Sequence, residues 1–161
     1  MDEKERVLFV CEDNTRAHMA QALLKHHAGD RFEVESAGVW PRAPDPRVRA
    51  ALRGFGMSDE PLSSQPLEQF QGQRFDFVIT LCELAEHEQA ALPAARVLLR
   101  WHFRSPGDEE EKHAGAFTRC LHEIDERIKM LLLILDKAEF VSPGGHAYAF
   151  RAGPPDGRAR L

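Results

Sequence analysis

Short, unbroken apolar runs alternate along this chain with longer stretches in which apolar residues recur every three or four positions. A strand reads as an unbroken apolar run when both its faces are covered, and helices laid on both faces of a parallel sheet do this. Val7-Leu8-Phe9-Val10 is such a run and ends at Cys11. A polar loop, Glu12 to Thr15, follows, and Ala17 to His27 then places Met19, Ala20, Leu23, Leu24 and His27 near one face at helical spacing. Arg31 to Ser36 alternates as a second strand closed by Ala37-Gly38, and Pro46 opens a helix to Phe55 with Gly56 as its stop. Phe75 to Cys82 is the clearest strand, with a helical stretch from Glu83 to Ala91, and Arg96 to Phe103 makes a fourth strand. From Glu109 to Ala138, the residues Phe117, Cys120, Leu121, Ile124, Ile128, Leu131, Leu132 and Leu135 form the stripe of a closing helix. The pattern predicts an α/β fold with a parallel sheet.

A chain of 161 residues fits one domain and buries enough surface to need neither disulfides nor a structural metal. Residues 1–138 are read as that domain. Residues 139–161 are read as a Pro/Gly-rich C-terminal extension, since the segment from Val141 onward holds four glycines and three prolines, although His146 to Phe150 alternates enough to add an edge strand. The net charge of -5 argues against general affinity for nucleic acid or anionic membrane, so any bound anion is captured locally. The run Met130 to Leu135 is too short to span a bilayer, and the start MDEKER lacks a signal-peptide layout, so a cytoplasmic location is expected. Three widely spaced cysteines, Cys11, Cys82 and Cys120, read as reduced thiols, and no spacing supports a metal site.

The chemistry concentrates where Cys11 leaves the first strand and Arg16 opens the following helix. In an open α/β sheet ligands bind beyond the carboxyl ends of the strands, where a helix N-terminus offers free N–H groups and positive dipole. A thiol in that field is expected to have a lowered pKa, and an oxyanion there would meet amides, a guanidinium and a nucleophile. The alternative is a small buried cysteine beside a surface arginine, and spacing alone favours that reading. His26-His27 reads as a helix C-terminal pair suited to the dipole. Trp40 reads equally as an aromatic wall of the site or as packing.

The wider string changes the weighting. Val7 to Cys11, then Asn14-Thr15-Arg16, Met19-Ala20 and Ala22, resembles the low-molecular-weight protein tyrosine phosphatases and their relatives, the thioredoxin-coupled arsenate reductases. Ser36-Ala37-Gly38 looks like that family's motif after the second strand. Phe75 to Cys82 is similar to the third-strand motif of the arsenate reductase branch, and Trp101-His102-Phe103-Arg104-Ser105-Pro106 stands where that branch has its Trp and Asp-Pro segment. The resemblance covers about residues 6 to 137. It implies a flavodoxin-like fold, a four-stranded parallel sheet with helices on both faces.

By the resemblance, Cys11 is the thiolate nucleophile, and Arg16 with the loop Glu12, Asp13, Asn14, Thr15 and Ala17 holds the oxyanion. Asn14 holds a left-handed turn, to which Asn is suited. The implied ligands are a small oxyanion (phosphate, arsenate or sulfate) or phosphotyrosine, with thioredoxin or a small thiol as reductant. No metal or organic cofactor is implied.

The departures are specific. Only four residues separate Cys11 from Arg16, one fewer than in the family loop, and the usual Gly is Asp13. Glu12 adds a second carboxylate, and like charges oppose a dianion unless they point outward. The hydroxyl residue that normally follows the arginine is Ala17. Ser105 stands where the family supplies a carboxylic acid to the leaving oxygen, a contribution typically of about 10²–10⁴-fold. Asp108 would substitute if its loop bends inward, and otherwise caps the helix at Glu109. Cys82 matches the first resolving thiol, whereas the second falls on Gln89, and Cys120 reads as core packing. Two functions follow. One is cysteine-dependent oxyanion chemistry, of arsenate reductase or tyrosine phosphatase type. The other is a catalytically degenerate member that binds an oxyanion or a protein.

Overall fold

The computed structural model describes residues 3–57, 62–63, 65–106 and 115–141. Four strands, β1 (Glu5–Cys11), β2 (Phe32–Gly38), β3 (Arg74–Thr80) and β4 (Ala94–Arg100), form one sheet in the order β2-β1-β3-β4. Every neighbouring pair is parallel, with Val7 opposite Val34 on one side and Phe77 on the other. The helices are α1 (Thr15–Ala28), α2 (Pro46–Gly54), α3 (Glu86–Ala90) and α4 (Gly115–Val141). This is the four-stranded parallel sheet with helices on both faces that the sequence predicts.

The two central strands carry the unbroken apolar runs. Val7 to Cys11 are all buried, as are Phe77, Val78, Ile79 and Thr80, so both faces of β1 and β3 are covered. Leu23 and Leu24 of α1 and Leu121, Ile124 and Ile128 of α4 are fully enclosed in the same core. Helix α4 packs against both α1 and α2. Asp45 starts α2 by accepting the Arg47 N–H at 2.9 Å ahead of Pro46.

Three boundaries depart from the sequence reading. The stretch from Glu83 shrinks to the five-residue α3, none of whose residues is buried, so it has no apolar face to hold more turns. The fourth strand ends at Arg100. Trp101 and Phe103 then run on alongside the chain leaving β3, donating their N–H groups to the carbonyls of Thr80 (2.8 Å) and Leu81 (3.0 Å). Third, Ala37 and Gly38 lie inside β2, paired with Val10 and Cys11. The edge strand expected at His146 to Phe150, the cap expected at Asp108 and the acidic start of the last helix lie outside the described residues.

Candidate active site at the end of β1

The sheet order reverses between β1 and β3, and the loop after β1 opens at that switch point. Cys11 ends β1. Thr80 pairs with Val10, and the Leu81 N–H donates to the Val10 carbonyl at 2.9 Å, so the chain beyond β3 brings Cys82 close beside Cys11. Asn14 turns the loop with φ 76 and ψ -18, the only non-glycine positive φ among the described residues. Its amide fits between the Gly38 N–H, which donates to the Asn14 oxygen at 3.2 Å, and the Asp13 carbonyl, which accepts from the Asn14 nitrogen at 3.3 Å. Glycine is needed at 38, since a Cβ there would stand 2.8 Å from Asn14 Cγ.

The turn aims the start of α1 at the sulfur. The Ala17 N–H donates to Cys11 Sγ at 3.3 Å, and Arg16 is buried beside it. Arg16 Nη1 donates to the Phe103 carbonyl at 2.8 Å, while its Nε has no partner among the described residues. The Asp13 carboxylate accepts the Thr15 N–H at 3.1 Å and so takes one helix-start amide for itself. Glu12 is exposed, and its carbonyl accepts the Trp40 N–H at 2.6 Å. Trp40 itself is 66% exposed. Ser105 is half-buried, and Arg104 next to it offers its carbonyl to Cys120 Sγ at 3.8 Å.

One expectation is reversed. The Cys11 thiol is not lowered: burial pushes it up to about 12, and the Asp13 charge adds to the rise. The Arg16 charge and the Ala17 N–H act the other way without prevailing. Cys11 is fully enclosed, so a reagent reaches its thiol only after the surrounding structure moves. Cys82 is also raised by burial, against the influence of Arg16 and the Glu12 amide. Cys120 is pushed up to about 12, first by burial, and it too feels the Arg16 charge and Cys11. The Arg16 charge thus acts on all three thiols.

Three contributors went unread in the sequence: the Phe103 carbonyl, the proximity of Cys120, and His18. His18 is buried in α1, with Nε2 3.0 Å from the Ser63 carbonyl and Nδ1 without a partner among the described residues, and burial lowers its pKa. His27 is no dipole-only residue, since its Nε2 lies 2.6 Å from the Asp125 carboxylate. Among the described residues no group of three or more His, Cys, Asp and Glu is placed to hold a metal, and no helix is long and apolar enough to cross a membrane.

Residues 6–140 match the family of low molecular weight phosphotyrosine protein phosphatases. The chain belongs to that family. Within it, the chain is 33% identical to the arsenate reductase of Halalkalibacterium halodurans over 131 residues, 78% of this chain and 94% of that protein. The arsenate reductase of Bacillus licheniformis is 34% identical over the same shares. The crystal structure of arsenate reductase from Archaeoglobus fulgidus is 32% identical, covers 78% of this chain and 97% of its own, and superposes with a TM-score of 0.60. A protein tyrosine phosphatase from Entamoeba histolytica, 18% identical over 83% of this chain and 97% of its own, shares the fold with a TM-score of 0.67. The relatives thus place this member of the family in the arsenate reductase branch.

Proposed function

We propose that this chain performs cysteine-dependent oxyanion chemistry of the arsenate reductase type, with Cys11 as nucleophile, Arg16 and the Glu12 to Ala17 amides as the anion cradle, and Cys82 as resolving thiol. The observation that carries this reading is the Ala17 N–H on Cys11 Sγ with Arg16 buried alongside and Cys82 close by. In the enclosed form the Phe103 carbonyl holds the guanidinium that an oxyanion would take. An arsenate oxygen displaces that carbonyl, and a bidentate charged pair replaces a single neutral acceptor. Cys11 thiolate then attacks arsenic as hydroxide leaves, forming an S–As bond. Cys82 thiolate attacks Cys11 Sγ, the S–As pair passes to arsenic as arsenite departs, and a Cys11–Cys82 disulfide remains for thioredoxin or a small thiol to reduce.

Reduction is favoured over phosphate-ester hydrolysis because Ser105 offers no carboxylic acid to an alkoxide leaving group, whereas hydroxide leaving arsenic takes its proton from water. The reduced thiols fit a cytoplasmic site of action. A second reading, an oxyanion- or protein-binding member without turnover, is favoured by the full enclosure of Cys11 and by the Asp13 carboxylate on the Thr15 amide.

The test is arsenite formation by reduced protein with dithiothreitol, with Cys11→Ser as blank and p-nitrophenyl phosphate hydrolysis in parallel. Arsenite lost in Cys11→Ser supports the reductase. Hydrolysis without arsenite assigns a phosphatase. Neither activity, with phosphate still shielding Cys11 from alkylation, leaves the binding reading.

A further inference from the structure

Among the described residues three large apolar side chains are exposed, and two of them, Met130 (51%) and Leu133 (57%), stand one turn apart on α4. That helix turns Leu121, Ile124, Ile128, Leu131 and Leu135 into the core. At about 3.6 residues per turn, Met130 and Leu133 fall on the opposite side. Glu126 and Lys137 continue the same outer line, with steps of four, three and four along Glu126, Met130, Leu133 and Lys137. The neighbouring exposed charges are committed within the chain, Lys129 to Asp125 at 3.0 Å and Asp136 to Arg31 at 2.8 Å. Glu126 and Lys137, both exposed, have no ion-pair partner among the described residues. The outer line therefore carries an apolar centre with one uncompensated anion before it and one uncompensated cation after it.

We propose that this line pairs antiparallel with the same line of a second copy of the chain, forming a two-fold dimer. Such a contact requires a surface complementary to itself. An axis crossing α4 midway between Met130 and Leu133 sets Met130 of one copy against the partner's Leu133. Glu126 and Lys137 each lie four residues outside that apolar pair, so the same axis sets Glu126 against the partner's Lys137 and repeats the ion pair at the other end. A parallel contact would oppose glutamate with glutamate and lysine with lysine, so the charges select the antiparallel one. Met and Leu side chains suit the roughly 8–10 Å between packed helix axes. The line is only about 17 Å long, which places the contact among the weak, reversible interfaces. A strongly acidic or strongly basic partner fits less well, because the face offers one charge of each sign. The dimer does not depend on the chemistry proposed at Cys11.

The full chain is followed by sedimentation equilibrium under reducing conditions, from about 1 to about 300 µM, so that no intermolecular disulfide contributes. The expected result is a reversible monomer–dimer equilibrium. Leu133→Asp should weaken association at least about tenfold, since both copies lose their apolar contact. Glu126→Lys sets cation against cation at both ends and should weaken it about five- to tenfold. Exchanging both charges, Glu126→Lys together with Lys137→Glu, should restore the original association, which neither a parallel contact nor a contact elsewhere on the surface would do. All the substituted residues are exposed, and far-UV circular dichroism checks that each variant keeps its fold. A monomer across the whole range, whether the face stays open or residues beyond α4 cover it, overturns the proposal. A dimer indifferent to Leu133→Asp or to Glu126→Lys, or one that the double exchange fails to restore, overturns it as well.

Discussion

Asn14 occupies the space that any side chain on Gly38 would need, and the two are joined by the Gly38 N–H donating to the Asn14 amide oxygen at 3.2 Å. The second strand thus fixes the left-handed turn that aims α1 at Cys11. Gly38→Ala is expected to cost about 1–3 kcal/mol by overpacking and to weaken phosphate binding. Asn14→Gly keeps the backbone freedom but empties the space. In the double variant the two costs should add to less than their sum, read by urea unfolding. Full additivity would show that the contact does not hold the turn.

Asp13 places a carboxylate on the Thr15 N–H, and its charge raises the Cys11 pKa. Asp13→Asn keeps an acceptor for that amide and removes the charge. Cys11 should then alkylate faster with iodoacetamide at neutral pH, and phosphate should protect it at several-fold lower concentration, a relief of about 1 kcal/mol. Unchanged protection by phosphate would place the carboxylate away from the anion.

The alternation of buried runs and helical stripes was enough to read the sheet, since it follows from covering both faces of β1 and β3. Cys11 and Arg16 were legible because strand end and helix start are adjacent in sequence. The state of the thiol was not. Its burial is set by tertiary packing, and the guanidinium beside it is held by the Phe103 carbonyl, 87 residues beyond Arg16, on a path that no local pattern reports. The same holds for Cys120, whose apolar stripe predicted burial but not that its Sγ meets the Arg104 carbonyl. The length of α3 was misread because a polar stretch at helical spacing resembles a helix with no face to bury.

Asp125 links α4 to α1, accepting from His27 Nε2 at 2.6 Å and Lys129 Nζ at 3.0 Å. Burial works to raise its pKa, yet these two hydrogen bonds hold it below the usual carboxylate range. A carboxyl whose folded pKa is depressed stabilises the fold above its unfolded pKa, and that contribution is lost as pH falls through the folded value. Asp125→Asn should therefore lower stability by about 1–3 kcal/mol at neutral pH and flatten the loss on acidification. Thermal unfolding from neutral to acid pH reads both, and an unchanged acid limb would discount the bridge.

The enclosed thiols make the opposite prediction at alkaline pH. Cys11 and Cys120 are both pushed up to about 12 by burial, whereas an unfolded cysteine titrates near ~8.5. The unfolded chain releases these protons first, so the stability they supply is complete below ~8.5 and drains away as pH rises toward the folded value. Each thiol contributes a slope of about 1.4 kcal/mol per pH unit in that window. Cys120→Ala removes one of the two without touching the proposed nucleophile. Urea unfolding under reducing conditions between about pH 9 and 11 should show a shallower decline in Cys120→Ala, by about that slope, whatever its stability at neutral pH. Equal slopes would mean that the Cys120 thiol meets solvent as readily in the folded protein as in the unfolded chain, and that its burial under the Arg104 carbonyl does not persist in solution.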